Sequence, residues 1–232
     1  SHEEEAEYLE LSRKIAATYN SENDGTADDT MSNILLGKRA RLIGSADEKF
    51  IKLKTLAKRL DKPHNTLIFT GDGKNETLEE EEIKDKHRVI QILKGLKWDV
   101  AEFTADVDEL TRKIRIQDFI DNTLNGLVAI KVLDQGVNIP AIQTAIILAS
   151  TRSRRQYIQR LGRVLRKSEN KDLSYIYDFI VLPSKQNSSE LSDSLIKLID
   201  EERKRFDEFS KCCQNRVSLK NEFEKHVQLM NE

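Results

Sequence analysis

An arginine-rich stretch follows a short apolar run in the second half of the chain. Residues 145–149 are all apolar, whereas residues 152–167 carry six Arg and one Lys with no carboxylate among them. If the second stretch is a helix, Gln159, Arg163 and Arg166 share one face at i, i+4 and i+7. Guanidinium groups bind phosphate oxygens in a bidentate manner, so this face predicts a phosphate site. The alternative is a solvated basic helix, the usual interpretation of a charged helical face.

Two segments resemble sequence motifs of a known family. Residues 159–166 resemble motif VI of superfamily 2 helicases, and residues 127–140 resemble motif V, in the order that the family has them. The resemblance extends from about residue 41 to residue 182. Within the superfamily, it is strongest to the branch that contains nucleotide-excision-repair helicases and the translocase subunits of restriction enzymes.

The resemblance implies a function for the basic segment. Superfamily 2 motors clamp ATP between two RecA-like domains and step along nucleic acid as the cleft opens and closes. This chain would be the second of those domains, with Arg163 and Arg166 as arginine fingers on the γ-phosphate. Gln159 would orient phosphate or the attacking water. The other nucleotide-binding positions implied by the resemblance are Gly136, Asn138 and Arg160.

Apolar segments alternate with helical patterns along the chain. The predicted strands are 66–70, 99–104, 127–131, 143–149 and 174–182. Such alternation is typical of a parallel sheet covered by helices on both faces. The predicted fold class is therefore α/β, a RecA-like parallel sheet sandwiched between helices, with extra N- and C-terminal helices.

Ligands of such sheets bind outside the carboxyl ends of the strands. The predicted nucleic-acid-binding residues at those ends are Thr70, Gly71, Thr104 and Lys131. By resemblance, residues 66–70 are motif IV, whose strand end lies beside nucleic acid. The pattern Gly71-x-Gly73-Lys74 is not a P-loop, which needs four residues between its first Gly and the Gly-Lys pair and a Ser or Thr after the Lys.

Three positions depart from the pattern of many relatives. Asn138 stands where they carry Asp, Gln135 where they carry Glu or Arg, and Ile130 where they often carry Thr. An amide still hydrogen-bonds a ribose hydroxyl but cannot hold an arginine by charge. Lys131 is the predicted substitute for the missing Thr contact, and a solvated lysine is the alternative.

Three segments are predicted along the chain. Residues 1–30 comprise an N-terminal helix and a flexible linker, residues 31–184 the RecA-like domain, and residues 185–232 a helical extension. The linker is placed at 20–30 because that stretch is polar and rich in turn-forming residues. For the extension, packing on its own domain is favoured over docking on a partner domain.

Capping-box patterns predict two helix starts within the RecA-like domain. Ser45 with Glu48 is the first pattern, and Asp106 with Glu109 is the second. Pro63 is expected to end the helix that follows the first.

The composition limits the kinds of partner. A net charge of −2 gives no global field toward nucleic acid, so the basic segment is expected to act locally. Cys212 and Cys213 are the only cysteines, and an adjacent pair makes a poor disulfide or metal site, so no metal site is predicted. Without a signal peptide or a long apolar segment, a cytoplasmic protein with no membrane partner is expected, and nucleoid association is possible.

The expected partners are nucleic acid, with DNA favoured over RNA, and an N-terminal RecA-like domain of the same full-length protein. That first domain would hold most of the ATP and Mg²⁺, because this sequence shows neither a P-loop nor an Asp-Glu pair in the corresponding context. The chain alone is thus expected to be an inactive part of an ATP-dependent helicase. The alternative from another class is a non-catalytic RecA-like module that binds nucleic acid or a protein.

Overall fold

A computed structural model describes most of the chain, in two compact units. The described residues are 1–22, 29–61, 63, 65–70, 79–104, 106–130, 142–149, 162, 171–184 and 192–231. Residues 43–179 form one unit, called here the sheet unit, and residues 1–42 with 180–232 form the other, called the helical unit. The predicted boundaries after residues 30 and 184 stay predictions.

The sheet unit contains a five-stranded parallel sheet among its described residues. Its strands are β1 (Thr66–Phe69), β2 (Val100–Phe103), β3 (Gly126–Ala129), β4 (Thr144–Ile147) and β5 (Tyr175–Asp178). They lie in the order β2-β3-β1-β4-β5, and every neighbouring pair is parallel. All residues of β1, β3 and β4 are buried, as expected for inner strands of a covered parallel sheet.

The described helices of the whole chain are α1 (His2–Glu22), α2 (Asp29–Gly44), α3 (Asp47–Leu60), α4 (Glu79–Gly95), α5 (Glu109–Ile120), α6 (Asp193–Ser210) and α7 (Arg216–Asn231). One sheet face, which includes Ile68, Val128 and Ile146, packs against α3 and α4. Neighbouring strand residues such as Leu67 and Leu127 point to the opposite face and are also fully buried. Both faces are therefore covered, and the predicted α/β fold of the RecA-like kind is confirmed.

Leucine, valine and tryptophan side chains fill the core between the sheet and its helices. Leu53 of α3 and Val89 and Leu93 of α4 are fully buried there, and Trp98 is nearly so. Full burial of an aliphatic side chain contributes about 1.5–3 kcal/mol. Gly126 of β3 pairs with Thr66 of β1. A glycine is needed there for the two strands to lie this close, because a Cβ on residue 126 would lie 2.9 Å from the Thr66 carbonyl oxygen.

The two predicted capping boxes are wrong in detail. Helix α3 begins at Asp47 after Ala46, which provides no side-chain cap, because the Ser45 hydroxyl instead donates to the Asp85 carboxylate on α4. A charged acceptor makes the stronger hydrogen bond. Helix α5 is capped by Asp108, whose carboxylate accepts from the Thr111 amide at 2.9 Å, and not by a residue at 106.

The ends of α3 and α5 show which sequence signals were informative. Helix α3 ends at Leu60, as predicted, and the next residue, Asp61, has a left-handed backbone with φ of 44°. In α5, Phe119 is buried, whereas Ile114 and Ile120 are exposed. Helix α5 packs against β2, which is an edge strand of the sheet, so the exposed isoleucines lie outside the core.

Tyr8 is a buried contact residue of the N-terminal part of the helical unit. Tyr8, Leu11 and Ile15 of α1 are buried and lie on one face of the helix. The Tyr8 hydroxyl donates to the Ser194 carbonyl at 3.4 Å, and the Arg39 guanidinium lies 5.5 Å from the Tyr8 ring centroid. Helix α1 extends into the predicted linker at 20–30, and α2 begins inside that linker; residues 23–28 lie outside the described residues.

The C-terminal helices α6 and α7 pack on each other. The rings of Phe206 and Phe223 stack with centroids 5.2 Å apart, and Val227 and Met230 complete the small core. The Arg203 guanidinium donates to both oxygens of Glu224 at 3.2 Å. The predicted C-terminal helices are thus confirmed, while packing on the RecA-like domain and docking on a partner domain both stay predictions.

No helix in the described part of the chain is long and apolar enough to cross a membrane.

Candidate functional site

The strand order places a topological switch point at the centre of the sheet. The chain leaves β1 toward β2 on one side, and it leaves β4 toward β5 on the other, although β1 and β4 are neighbours. Open α/β sheets bind ligands outside the carboxyl ends of the strands at such a point. The Leu148 amide donates to the Phe69 carbonyl at 3.0 Å, which keeps the ends of β4 and β1 side by side.

The segments that carry the two sequence motifs both start at this edge. Strand β3 ends just before Ile130 and β4 ends just before Leu148, and each of these strands pairs with β1. Neighbouring strands lie about 4.8 Å apart, so the ends of β3 and β4 are roughly 10 Å apart. Residues 131–140 follow the first end and residues 150–166 follow the second. The described fold therefore brings the carboxyl ends of β3, which carries the start of motif V, and of β4, which precedes motif VI in the sequence, to the same edge of the sheet.

Most of the predicted site residues lie outside the described residues. They are Gly71, Lys131, Gly136, Asn138, Gln159, Arg160, Arg163 and Arg166. Their roles stay predictions. Within the basic segment, Gly162 is helical and exposed, and a Cβ at this position would meet no described atom within 4 Å.

Thr70 lies at the switch point, directly after β1. Its backbone amide donates to the Ala129 carbonyl at 3.1 Å, which ties the ends of β1 and β3 together. Its hydroxyl oxygen is buried and has no hydrogen-bond partner in the part of the chain that the structure describes. A buried hydroxyl without a partner costs about 1–3 kcal/mol. We therefore expect a partner from a ligand or from a residue outside the described ranges.

Thr104, at the end of the edge strand β2, already has a partner. Its hydroxyl donates to the Glu102 carboxylate at 2.8 Å, and the Lys86 ammonium donates to the same oxygen at 2.6 Å. Arg115 of α5 donates to the Glu102 backbone carbonyl. The Thr104 hydroxyl proton is thus committed, and only its lone pairs are available to another group.

The charge state of Glu102 follows from this network. Burial by itself raises the pKa of the Glu102 carboxyl, but hydrogen bonds from Lys86 and Thr104 and the nearby positive charges of Lys86 and Arg115 outweigh it. The net effect is a lowered pKa, so the carboxylate is ionised at neutral pH. Sequence reasoning missed both Lys86 and Glu102. The available signal was a Glu inside an otherwise apolar strand, which needs a cationic partner when it is buried.

Among the described residues, no group of three or more His, Cys, Asp and Glu side chains is placed to hold a metal ion.

Comparisons with known proteins identify relatives of the sheet unit. Residues 48–168 match the model of the helicase conserved C-terminal domain. The DNA 3′-5′ translocase XPB2 of Sulfurisphaera tokodaii is 34% identical over 90 residues, which are 39% of this chain and 20% of that protein. The ATP-dependent RNA helicase DBP3 of Lodderomyces elongisporus is 30% identical over 130 residues, 56% of this chain and 24% of the relative. The chain thus spans a quarter or less of these relatives' lengths.

A solved structure supports the fold. The crystal structure of T4 UvsW aligns with 74% of this chain and 35% of its own, at a TM-score of 0.51 and 21% sequence identity. At that identity the likeness concerns the fold alone. The match to the family model covers both motif segments, 127–140 and 159–166.

Proposed function

Because the chain belongs to the family of helicase conserved C-terminal domains, we propose that it is the second motor domain of a longer, ATP-dependent superfamily 2 protein that moves along nucleic acid. One observation supports this most directly: β3, which carries the start of motif V, and β4, which precedes motif VI in the sequence, flank β1 at the switch point of the sheet. A cleft formed there against a first domain would present both motifs to one nucleotide.

The proposed contribution of this domain to ATP hydrolysis is electrostatic. Arg163 and Arg166 act as arginine fingers on charge that develops at the γ-phosphate, and Gln159 orients the phosphate or the attacking water. Gly136, Asn138 and Arg160 complete the nucleotide contacts. ATP and Mg²⁺ are held mainly by the first domain, whose P-loop and acidic pair have no counterpart in this sequence.

The proposed nucleic-acid contacts lie at the carboxyl ends of the strands. Of the two described candidates, Thr70 is favoured, because its hydroxyl has no partner among the described residues, whereas the Thr104 hydroxyl is bonded to Glu102. Gly71 and Lys131 follow β1 and β3 and are proposed to contact the phosphate backbone. Such contacts position the protein without reading sequence.

The relatives include both a DNA translocase and an RNA helicase, so the proposal names nucleic acid as a class. An intracellular location follows from that substrate. The favoured substrate is DNA, and binding to matched DNA and RNA strands decides between the two.

ATP turnover by the chain alone tests the half-site proposal. The 232-residue chain is expected to show no turnover above background, with or without nucleic acid, while the longer protein that carries the first domain hydrolyses ATP. Phosphoryl-transfer enzymes typically reach about 1–100 s⁻¹. Turnover near 1 s⁻¹ by the chain alone would show that its site is complete, and the proposal would be wrong.

A further inference from the structure

A buried lysine lies at the switch-point edge of the sheet. Lys49 is 5% exposed, and its ammonium donates to the Leu148 carbonyl at 2.6 Å and to the Gly44 carbonyl at 3.3 Å. Leu148 is the residue that directly follows β4, and Gly44 is the last residue of α2. One side chain of α3 thus joins the end of a helix to the end of a strand.

Helix formation does not explain a lysine at this position. Helix α3 begins at Asp47, so Lys49 lies in its first turn, where the positive end of the helix dipole disfavours a cation. Removal of an ammonium group from water is also costly, and the two carbonyl oxygens offset that cost. A methionine would fill the same volume without either cost. Lys49 therefore contributes what a methionine cannot, a charged group that donates hydrogen bonds to two carbonyl oxygens.

The lysine fixes the direction in which the chain leaves β4. The Leu148 amide donates to the Phe69 carbonyl of β1 at 3.0 Å, and the Leu148 carbonyl accepts from Lys49, so both backbone polar groups of Leu148 are held. The next residue, Ala149, packs beside the end of α2, since its Cβ lies 3.7 Å from where a Cβ of Gly44 would be. The basic segment begins immediately afterwards in the sequence.

We propose that Lys49 is a positioning residue for the motor: it sets the start of the segment that carries Gln159, Arg163 and Arg166. This inference rests on the function proposed above. Lys49 acts through the backbone at Leu148 and not on the nucleotide. A displacement of about 1 Å at reacting groups can lower the rate by roughly 10²-fold, which sets the scale of the expected effect.

Hydrogen exchange on the 232-residue chain gives the first test. The Thr70 amide, which donates to β3, serves as the reference. In Lys49→Met, the ratio of the Leu148 exchange rate to the Thr70 exchange rate is expected to rise at least ~10-fold. The reason is that Lys49 anchors the end of β4 and not the end of β1. Val89→Ala, a core truncation in the same unit, should raise the exchange of both amides alike. Equal acceleration of the two amides in Lys49→Met would show that the lysine is only a core residue.

Steady-state ATPase assays on the longer protein give the second test. Lys49→Met is expected to lower kcat roughly 10- to 100-fold per folded molecule, with the KM for ATP changed less than about twofold. Lys49→Arg should recover part of the lost kcat, because it restores a charged donor. Lys52→Met, which removes an exposed lysine from the same helix, is the charge control and should leave kcat unchanged.

An Arg163→Ala variant measured in parallel separates the two proposals. If Arg163→Ala abolishes turnover but folded Lys49→Met retains it, the positioning role is wrong and the motor assignment stands. If Arg163→Ala also retains turnover, the proposed function itself has failed.

Discussion

The Lys86–Glu102 pair offers a quantitative test of the sheet unit, because a matched pair lies nearby. Lys86 and Glu102 are 2.6 Å apart with side chains 6% and 26% exposed, whereas Lys113 and Glu109 are 2.7 Å apart with side chains 70% and 75% exposed. Removal of one partner from a fully buried pair costs about 3–5 kcal/mol. Because Glu102 retains some contact with water, we expect Lys86→Met to cost about 2–3 kcal/mol. Lys113→Met should leave the free energy of unfolding nearly unchanged, because exposed ion pairs contribute little.

Urea unfolding at neutral pH, monitored by tryptophan fluorescence, measures this difference. Trp98 is the only tryptophan and is buried in the core of the sheet unit, so its signal reports that unit. The reasoning would be refuted by equal costs for the two variants, since the Lys86–Glu102 pair is mostly buried and links α4 to β2, whereas the Lys113–Glu109 pair is exposed and lies within α5.

The pH dependence provides an internal check on the same pair. The pKa of Glu102 in the folded protein is lowered from its ordinary value of 4.5. The ionised carboxylate therefore stabilises the folded state fully above pH 4.5, and this contribution is lost as the pH falls through the pKa of the folded state. The difference between the wild type and Lys86→Met should therefore shrink as the pH falls below about 4.5. A difference that stays constant over that range would show that Lys86 stabilises by packing alone.

Two further predictions concern the core and the ligand. Leu93→Ala should cost about 2–5 kcal/mol by the same fluorescence assay, because Leu93 is fully buried. The control Leu110→Ala, at a leucine that is 69% exposed, should cost less than about 0.5 kcal/mol. Similar costs for the two variants would contradict the assigned core. Fluorescence anisotropy should show that the 232-residue chain binds nucleic acid weakly, with a shallow dependence on salt and little sequence preference, because the expected contacts are few and directed to phosphate; tight, sequence-specific binding at high salt would contradict this.

Much of the fold could be predicted from the sequence, because buried parallel strands are continuous apolar runs. Residues 66–69, 126–129 and 144–147 have that character, and all three are inner strands. The strand order could not be predicted, because the apolar pattern of a strand does not identify its neighbours.

The helix starts were harder to predict, because a capping hydroxyl can bond to another helix. Ser45 has the pattern of a capping residue, yet its hydroxyl donates to Asp85, forty positions later in the chain. Lys49 and Lys86 were missed for a related reason. Lysines at helical positions are usually solvated, and only the packed structure shows that these two are buried and bonded to groups distant in sequence.

The central claim is that the basic segment supplies arginine fingers to a motor. Nucleic-acid-stimulated ATPase activity of the longer protein tests it, with folding checked by thermal melts. Arg163→Ala should lower turnover by roughly 10³- to 10⁵-fold. Arg163→Lys should be nearly as harmful, because Lys lacks the bidentate fork. Arg154→Ala, which lies off the 159–163–166 face of the predicted helix, should cost little. A folded Arg163→Ala variant that retains most of its turnover would contradict the claim and favour a non-catalytic binding module.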